Sequence, residues 1–121
     1  MSTKQLSFYT NDLPEQLDNL ALMAQLISQL EKDLGVEEID KTLKNRLHLT
    51  DLSFWLRNYV QQQLENKSED FFNSLYVIDI EDKMLKIAFG SDQPYESLAE
   101  LIIKRELYKV IVRQKFKSDQ A

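Results

Sequence analysis

The first half of the chain repeats apolar residues at the three- and four-residue spacing of helices. One series runs from Leu13 to Leu34 and ends before Gly35, which suits a left-handed C-terminal cap. Shorter series begin at Val36 and near Thr50, so they predict a second and a third helix. We therefore expect three N-terminal helices, followed by a polar loop over residues 65–70.

The first predicted helix carries more apolar residues than one packing surface requires. Leu22 and Leu26 widen its apolar arc beyond the stripe of roughly 100° that faces a core. Either this helix lies at the centre of the domain, or it pairs with its equivalent in a second chain. Leu22 and Leu26 are therefore candidate partner-binding residues, and a homodimer is one of the two alternatives.

The second half is richer in β-branched and aromatic residues. Segments 75–80 and 84–89 are β-prone, and the charged residues 81–83 between them are typical of a connecting turn. The sequence here predicts a β-hairpin. Its turn lacks the Asn-Gly or Asp-Gly pair of the tightest hairpins, so a connection of three to five residues is expected.

The last helix is predicted to begin at Pro94, and the point where it ends decides the topology. If it continued to the C-terminus, Arg105 and Lys109 would fall on its apolar face. A strand from about 107 to 116 would instead separate the apolar residues from the cations, and the run of β-branched residues there favours it. The apolar face of that strand would consist of Tyr108, Val110, Val112 and Phe116. The expected fold class is α+β, in the order ααα-ββ-α-β, with a small antiparallel sheet of strand order 2-1-3.

Length and composition predict one domain. The chain has 121 residues, 43% of them hydrophobic, which suffices for a single core over residues 1–121. Residues 1–10 and 118–121 are expected to be flexible termini. There is no cysteine, so no disulfide or thiolate chemistry is available. No leader peptide or membrane span is apparent, and we expect a cytoplasmic protein.

The formal net charge of -5 is distributed unevenly. The segment 104–117 contains six cations and a single carboxylate. On the predicted strand most of these cations share an open face, which makes them candidates for binding a partner. Those candidates are Lys109, Arg113, Lys115 and Lys117. The alternative is that the basic segment pairs with the chain's own acidic helices.

Residues suited to catalysis or to binding a metal are few. His48 is the only histidine, and it lies between two predicted helices, where a capping or exposed role is usual. The carboxylates of Asp79, Glu81 and Asp82 are explained by the predicted turn. The two glycines of the chain, Gly35 and Gly90, do not form a phosphate-binding loop. We expect no catalysis, no cofactor and no metal.

Two functions remain open. The first is a non-catalytic protein-interaction or regulatory domain, acting on a protein partner or on a second copy through helical and edge-strand surfaces. The alternative is a winged-helix-like DNA-binding regulator that reads bases with the third helix. Its base-reading residues would be Arg57, Asn58, Gln61 and Gln62. Nucleic acid is disfavoured because that helix supplies a single arginine against the many phosphates of DNA.

Overall fold

The computed structural model describes residues 20–43 and 48–120, with side chains for 21–43 and 48–117. Every regular element in these ranges is a helix, and they contain no strand. The α+β prediction is therefore wrong, and so are the hairpin and the three-stranded sheet. The six helices are α1 (Leu20–Leu34), α2 (Ile39–Leu43), α3 (Leu49–Asn66), α4 (Ser68–Ile78), α5 (Asp82–Phe89) and α6 (Pro94–Gln120).

The predicted C-terminal strand is the second half of α6, an uninterrupted helix of 27 residues. Arg105 and Lys109 argued for a strand because they interrupt the apolar face. In the fold they reach the carboxyl end of α4, where backbone carbonyls lack partners within their own helix. Arg105 Nε donates to the carbonyl oxygen of Asp79 over 2.9 Å, and Lys109 Nζ donates to that of Val77 over 3.3 Å. The two cations cap a neighbouring helix, as the helix dipole favours.

The predicted hairpin is two helices joined by a sharp turn. Phe71, Leu75 and Ile78 recur at helical spacing and are buried, so periodicity prevails over the β-prone composition of α4. Asp79 ends α4 in the left-handed conformation, with φ of 65°. The charged residues read as a turn include Asp82, which opens α5, where a carboxylate at the first turn is favourable.

The predicted polar loop at 65–70 is also wrong. Only Lys67 separates α3 from α4, and the acidic Glu69 and Asp70 form the first turn of α4. Carboxylates there interact favourably with the positive end of the helix dipole.

The predicted end of the first helix is confirmed. α1 ends at Leu34, and Gly35 follows with φ of 71°. The amide of Val36 closes the turn by donating to the carbonyl oxygen of Glu31 over 3.0 Å. The predicted start of this helix and the flexible segment 1–10 lie outside the described residues. So does Ala121, while the backbone of α6 continues to Gln120.

The core forms where α6 packs against α1, α3, α4 and α5. α1 contributes to it from two sides, which explains the wide apolar arc of that helix. The side chains with no exposed surface include those of Met23, Leu26, Leu30, Leu52, Leu56, Leu98, Ile102 and Leu107. Burying each such side chain stabilises the fold by about 1.5–3 kcal/mol relative to leaving it exposed.

Candidate functional site

Leu22 and Leu26, the apolar candidates for partner binding, belong to this core. Their side chains are 4% and 0% exposed. The wide arc of α1 is therefore covered within one chain, which corresponds to the first of the two alternatives drawn from the sequence. Neither residue presents a surface to a partner in this arrangement.

Two of the four basic candidates, Lys109 and Arg113, are turned towards α1. Lys109 Nζ lies 3.0 Å from Asp33 Oδ2, and Arg113 Nη2 donates to Gln29 Oε1 over 2.7 Å. Asp33 of α1 thus pairs with the basic segment. Lys115 and Lys117, the other two candidates, are exposed on the last turns of α6.

These contacts belong to a row of polar side chains between α1 and α6, which we call the polar seam. Gln114 Nε2 extends it by donating to Gln25 Oε1 over 2.6 Å. Gln29 Nε2 also donates to Asp33 Oδ2 over 2.9 Å, and the seam spans about two turns of α1. The seam consists of Gln25, Gln29, Asp33, Glu106, Lys109, Arg113 and Gln114.

Glu106 occupies the inner end of the polar seam, and sequence reasoning missed it. Its side chain has no exposed surface, and neither carboxyl oxygen accepts a hydrogen bond from the described residues. Lys109 Nζ lies 3.3 Å from Oε2, close enough for an ion pair. Burial, assisted by the neighbouring Asp33, raises the pKa of Glu106 to about 8.

Asp33 is perturbed in the opposite direction. Burial alone would raise its pKa, but hydrogen bonds from Glu106, Gln29 and Lys109 outweigh that effect and lower the pKa of Asp33. At neutral pH the two carboxyl groups therefore share one proton, carried by Glu106, and Lys109 balances the remaining charge. Because Glu106 is inaccessible to solvent, this pair suits a structural role.

Arg57, the principal base-reading candidate, is held by α6. Its Nε lies 2.9 Å from Glu96 Oε1, and its guanidinium stands 5.4 Å from the centre of the Tyr95 ring. Its Nη1 donates to Gln61 Oε1 and to Asn58 Oδ1. Hydrogen bonding to Arg57 lowers the pKa of Glu96. The cation expected to contact DNA is thus engaged within the chain, and the hairpin expected to form the wing is helical.

The other base-reading candidates, Asn58 and Gln62, line a cleft between α2 and α3 that we call the acid-aromatic cleft. Its volume is about 370 Å³. Phe54 is 70% exposed, and the rings of Trp55 and Tyr59 stack with centroids 5.2 Å apart. The lining residues are Glu38, Thr42, Leu43, Asp51, Phe54, Trp55, Asn58, Tyr59 and Gln62.

The described lining residues of the acid-aromatic cleft carry a net negative charge. Glu38 and Asp51 are its charged lining residues, and the part of the chain that the structure describes adds no lysine or arginine to the lining. Burial raises the pKa of Tyr59, and the charges of Glu38 and Asp70 raise it further. Carboxylates beside aromatic faces favour a cationic ligand, since both attract positive charge. Phe54 is the residue that could have indicated this cleft in the sequence, because it is a large apolar residue that lies off the buried face of α3.

A second surface depression, the α4–α5 groove, is more apolar. Its volume is about 250 Å³. Tyr76 is 82% exposed and Phe72 43% exposed, and the ring of Phe72 lies 6.0 Å from that of Phe89. The groove is lined by Phe72, Leu75, Tyr76, Asp79, Ile80, Asp82 and Leu85.

The described residues contain no cluster of three histidine, aspartate or glutamate side chains that could hold a metal ion. Within those same ranges, no helix combines the length and the apolar character that crossing a membrane requires. Comparison with protein-family models, with curated proteins and with solved structures found no match to this chain.

Proposed function

We propose that this chain is a non-catalytic interaction domain whose acid-aromatic cleft binds a basic side chain on a protein partner. The observation that carries the proposal is the combination of an exposed Phe54 and a stacked Trp55–Tyr59 pair with two carboxylates in one cleft. Exposed aromatic side chains commonly anchor protein partners. A cytoplasmic location, expected from the sequence, remains part of the proposal.

The cleft offers two attractive interactions to an arginine or lysine side chain. A cation over an aromatic face gains about 0.5–2 kcal/mol, depending on its exposure to water. Ion pairs with Glu38 and Asp51 add to this, and the amide oxygens of Asn58 and Gln62 can accept hydrogen bonds. A single side chain bound in this way gives weak affinity, so we expect the partner to contribute further contacts.

Trp55 makes the proposal directly testable. It is the only tryptophan in the chain, so its fluorescence reports on the acid-aromatic cleft alone. We expect a saturable change in this fluorescence on titration with short capped peptides that contain arginine or lysine. Peptides of the same length with glutamate in those positions provide the matched ligand control and should produce no saturation.

Two variants connect the signal to the cleft. Glu38→Gln removes one negative charge at nearly constant shape, and Phe54→Ser removes the exposed ring; each should weaken binding of the basic peptide at least threefold. Phe72→Ser, which removes an exposed ring from the α4–α5 groove, is the matched control and should leave binding unchanged. Equal binding of acidic and basic peptides, or indifference to both cleft variants, would refute the proposal.

A further inference from the structure

The C-terminal part of α6 carries an apolar strip that no described element covers. Val112 is 46% exposed and Phe116 62% exposed, and one helical turn separates them on the same face. Lys115 and Lys117 flank this strip and are also exposed. Large apolar side chains gathered on one face are typical of a binding surface. We call this segment, residues 112–117, the α6 tail.

The α4–α5 groove has the complementary character. Exposed rings of Phe72 and Tyr76 line it, together with the carboxylates of Asp79 and Asp82. Arg105 Nη2 lies 3.3 Å from Asp79 Oδ2, so this carboxylate is already balanced within the chain. Asp82 therefore gives the groove lining a net negative charge. An apolar helix face with flanking lysines suits such a groove in both shape and charge.

The groove and the α6 tail lie along one side of the molecule. Arg105, Lys109, Val112 and Phe116 fall within an arc of about 60° on α6, given 100° per residue. Arg105 contacts Asp79 at the groove, and Phe116 lies about 16 Å further along the same helix. When a donor surface and an acceptor surface share one side, two copies related by a two-fold axis can fill both grooves at once.

We propose that a second copy of this chain is the occupant, with the α6 tail of each copy inserted in the α4–α5 groove of the other. Phe116 is the anchor that enters the groove beside Tyr76. Lys115 faces Asp82 across the interface, while Lys117 projects from the other side of Phe116, towards α1. The contact is isologous, so the assembly closes as a dimer and does not extend into a fibre. The proposal is independent of the acid-aromatic cleft, which lies between α2 and α3.

The test measures the oligomeric state of the full chain by sedimentation equilibrium over a range of concentrations. We expect a reversible dimer. Phe116→Ser and Tyr76→Ser each remove an exposed ring, so the monomer should fold normally by circular dichroism while the dimer Kd rises at least tenfold. Phe54→Ser removes an equally exposed ring from the acid-aromatic cleft and should leave the dimer Kd unchanged.

A second experiment exchanges charges across the proposed interface. Asp82→Lys should weaken the dimer because it brings like charges together, and Lys115→Glu should weaken it as well. Combining the two substitutions should restore most of the affinity. Failure of that restoration, after both separate changes have weakened the dimer, would overturn the pairing of these charges.

Three further outcomes would overturn the proposal. The first is a chain that stays monomeric up to about 1 mM, the concentration that corresponds to roughly 4 kcal/mol of binding free energy. The second is a dimer indifferent to Phe116→Ser and Tyr76→Ser, since another surface would then form it. The third is a dimer whose Kd is unchanged by a saturating synthetic peptide of sequence 108–120, because a peptide that matches the α6 tail should compete for the groove.

Discussion

Replacing Glu106 by glutamine should stabilise the protein, and more so as the pH rises. Glutamine keeps the shape of the side chain and is neutral at every pH. Its amide N–H can donate a hydrogen bond to a neighbouring carboxylate, as a protonated carboxyl group can. The substitution therefore removes the cost of keeping a proton on a buried acid without creating a cavity.

The magnitude follows from the pKa of Glu106, which burial raises to about 8 from an ordinary value near 4.5. The folded protein holds a proton that the unfolded chain releases, so the free energy of unfolding falls as pH rises between these two values. At about 1.4 kcal/mol per pH unit, the loss reaches roughly 3 kcal/mol at pH 7. Glu106→Gln should recover on the order of 1–3 kcal/mol at pH 7 and almost nothing at pH 4.5.

The other carboxyl groups with shifted pKa values do not lower the stability of the native protein in this pH range. The pKa values of Asp33 and Glu96 are lowered, so the stability that these residues contribute is complete above the ordinary aspartate and glutamate range. That stability is lost as pH falls below this range. Between pH 5 and 8, a decline of native stability is therefore attributable to the buried Glu106.

Urea unfolding of both proteins at several pH values from 4.5 to 8.5 measures the effect. Glu100→Gln makes the same chemical change on the same helix, at a side chain that is 60% exposed and lies 2.5 Å from Lys104. It should alter the free energy of unfolding by less than about 0.5 kcal/mol. Native stability that stays flat or rises over this range, or a parallel pH dependence for Glu106→Gln, would show that Glu106 is ionised in the folded state.

Two other substitutions test the architecture. Gly35→Ala should lower the free energy of unfolding by about 1 kcal/mol, because Gly35 has φ of 71° and an added methyl group meets no atom within 4 Å, which leaves backbone strain as the main cost. A urea midpoint unchanged at constant slope would contradict the cap. Leu26→Ala should cost about 3 kcal/mol, since this side chain is fully buried within one chain, and the loss should not depend on protein concentration. A loss below about 1 kcal/mol would place Leu26 outside the core.

The first half of the fold could be predicted from the sequence because its polar and apolar positions follow the helical period. In α1 the apolar positions up to Leu34, followed by Gly35, predicted both the helix and its end. In α3 the buried residues Leu52, Leu56 and Val60 recur every four residues, and no cation lies on the face that they form. Where composition and periodicity agree, a sequence pattern predicts the element well.

The prediction for the second half of the fold was wrong because composition and periodicity indicate different elements there. β-branched residues in α4 and α6 favoured strands, while the helical spacing of Phe71, Leu75 and Ile78 pointed to the structure that forms. Strand propensity is a weak preference that packing overrides. Arg105 misled for a different reason, since its partner is a carbonyl at the end of another helix, and such a contact leaves no trace in local spacing.

The candidate surfaces, too, could be predicted only in part from the sequence. Asn58 and Gln62 were singled out for the chemistry of their side chains, and they do line a cleft. The acidic residue Glu38 immediately precedes α2, a different helix, so its proximity to Asn58 and Gln62 depends on tertiary packing. Glu106 was read as one acid among six cations, and its complete burial could not be inferred without knowing that α1 lies against it.

Most cations of the basic segment in α6 are paired within the chain. Four of the six cations in the segment 104–117 contact acceptors on the chain itself: Lys104 contacts Glu100, and Arg105, Lys109 and Arg113 contact α4 or α1. The two that remain, Lys115 and Lys117, are too few to neutralise a row of phosphates. The acid-aromatic cleft, in contrast, keeps its carboxylates without a lining cation among the described residues. Internal pairing thus uses most of the positive charge of the basic segment, and the two carboxylates in the described lining of the acid-aromatic cleft support the proposal of a basic protein partner.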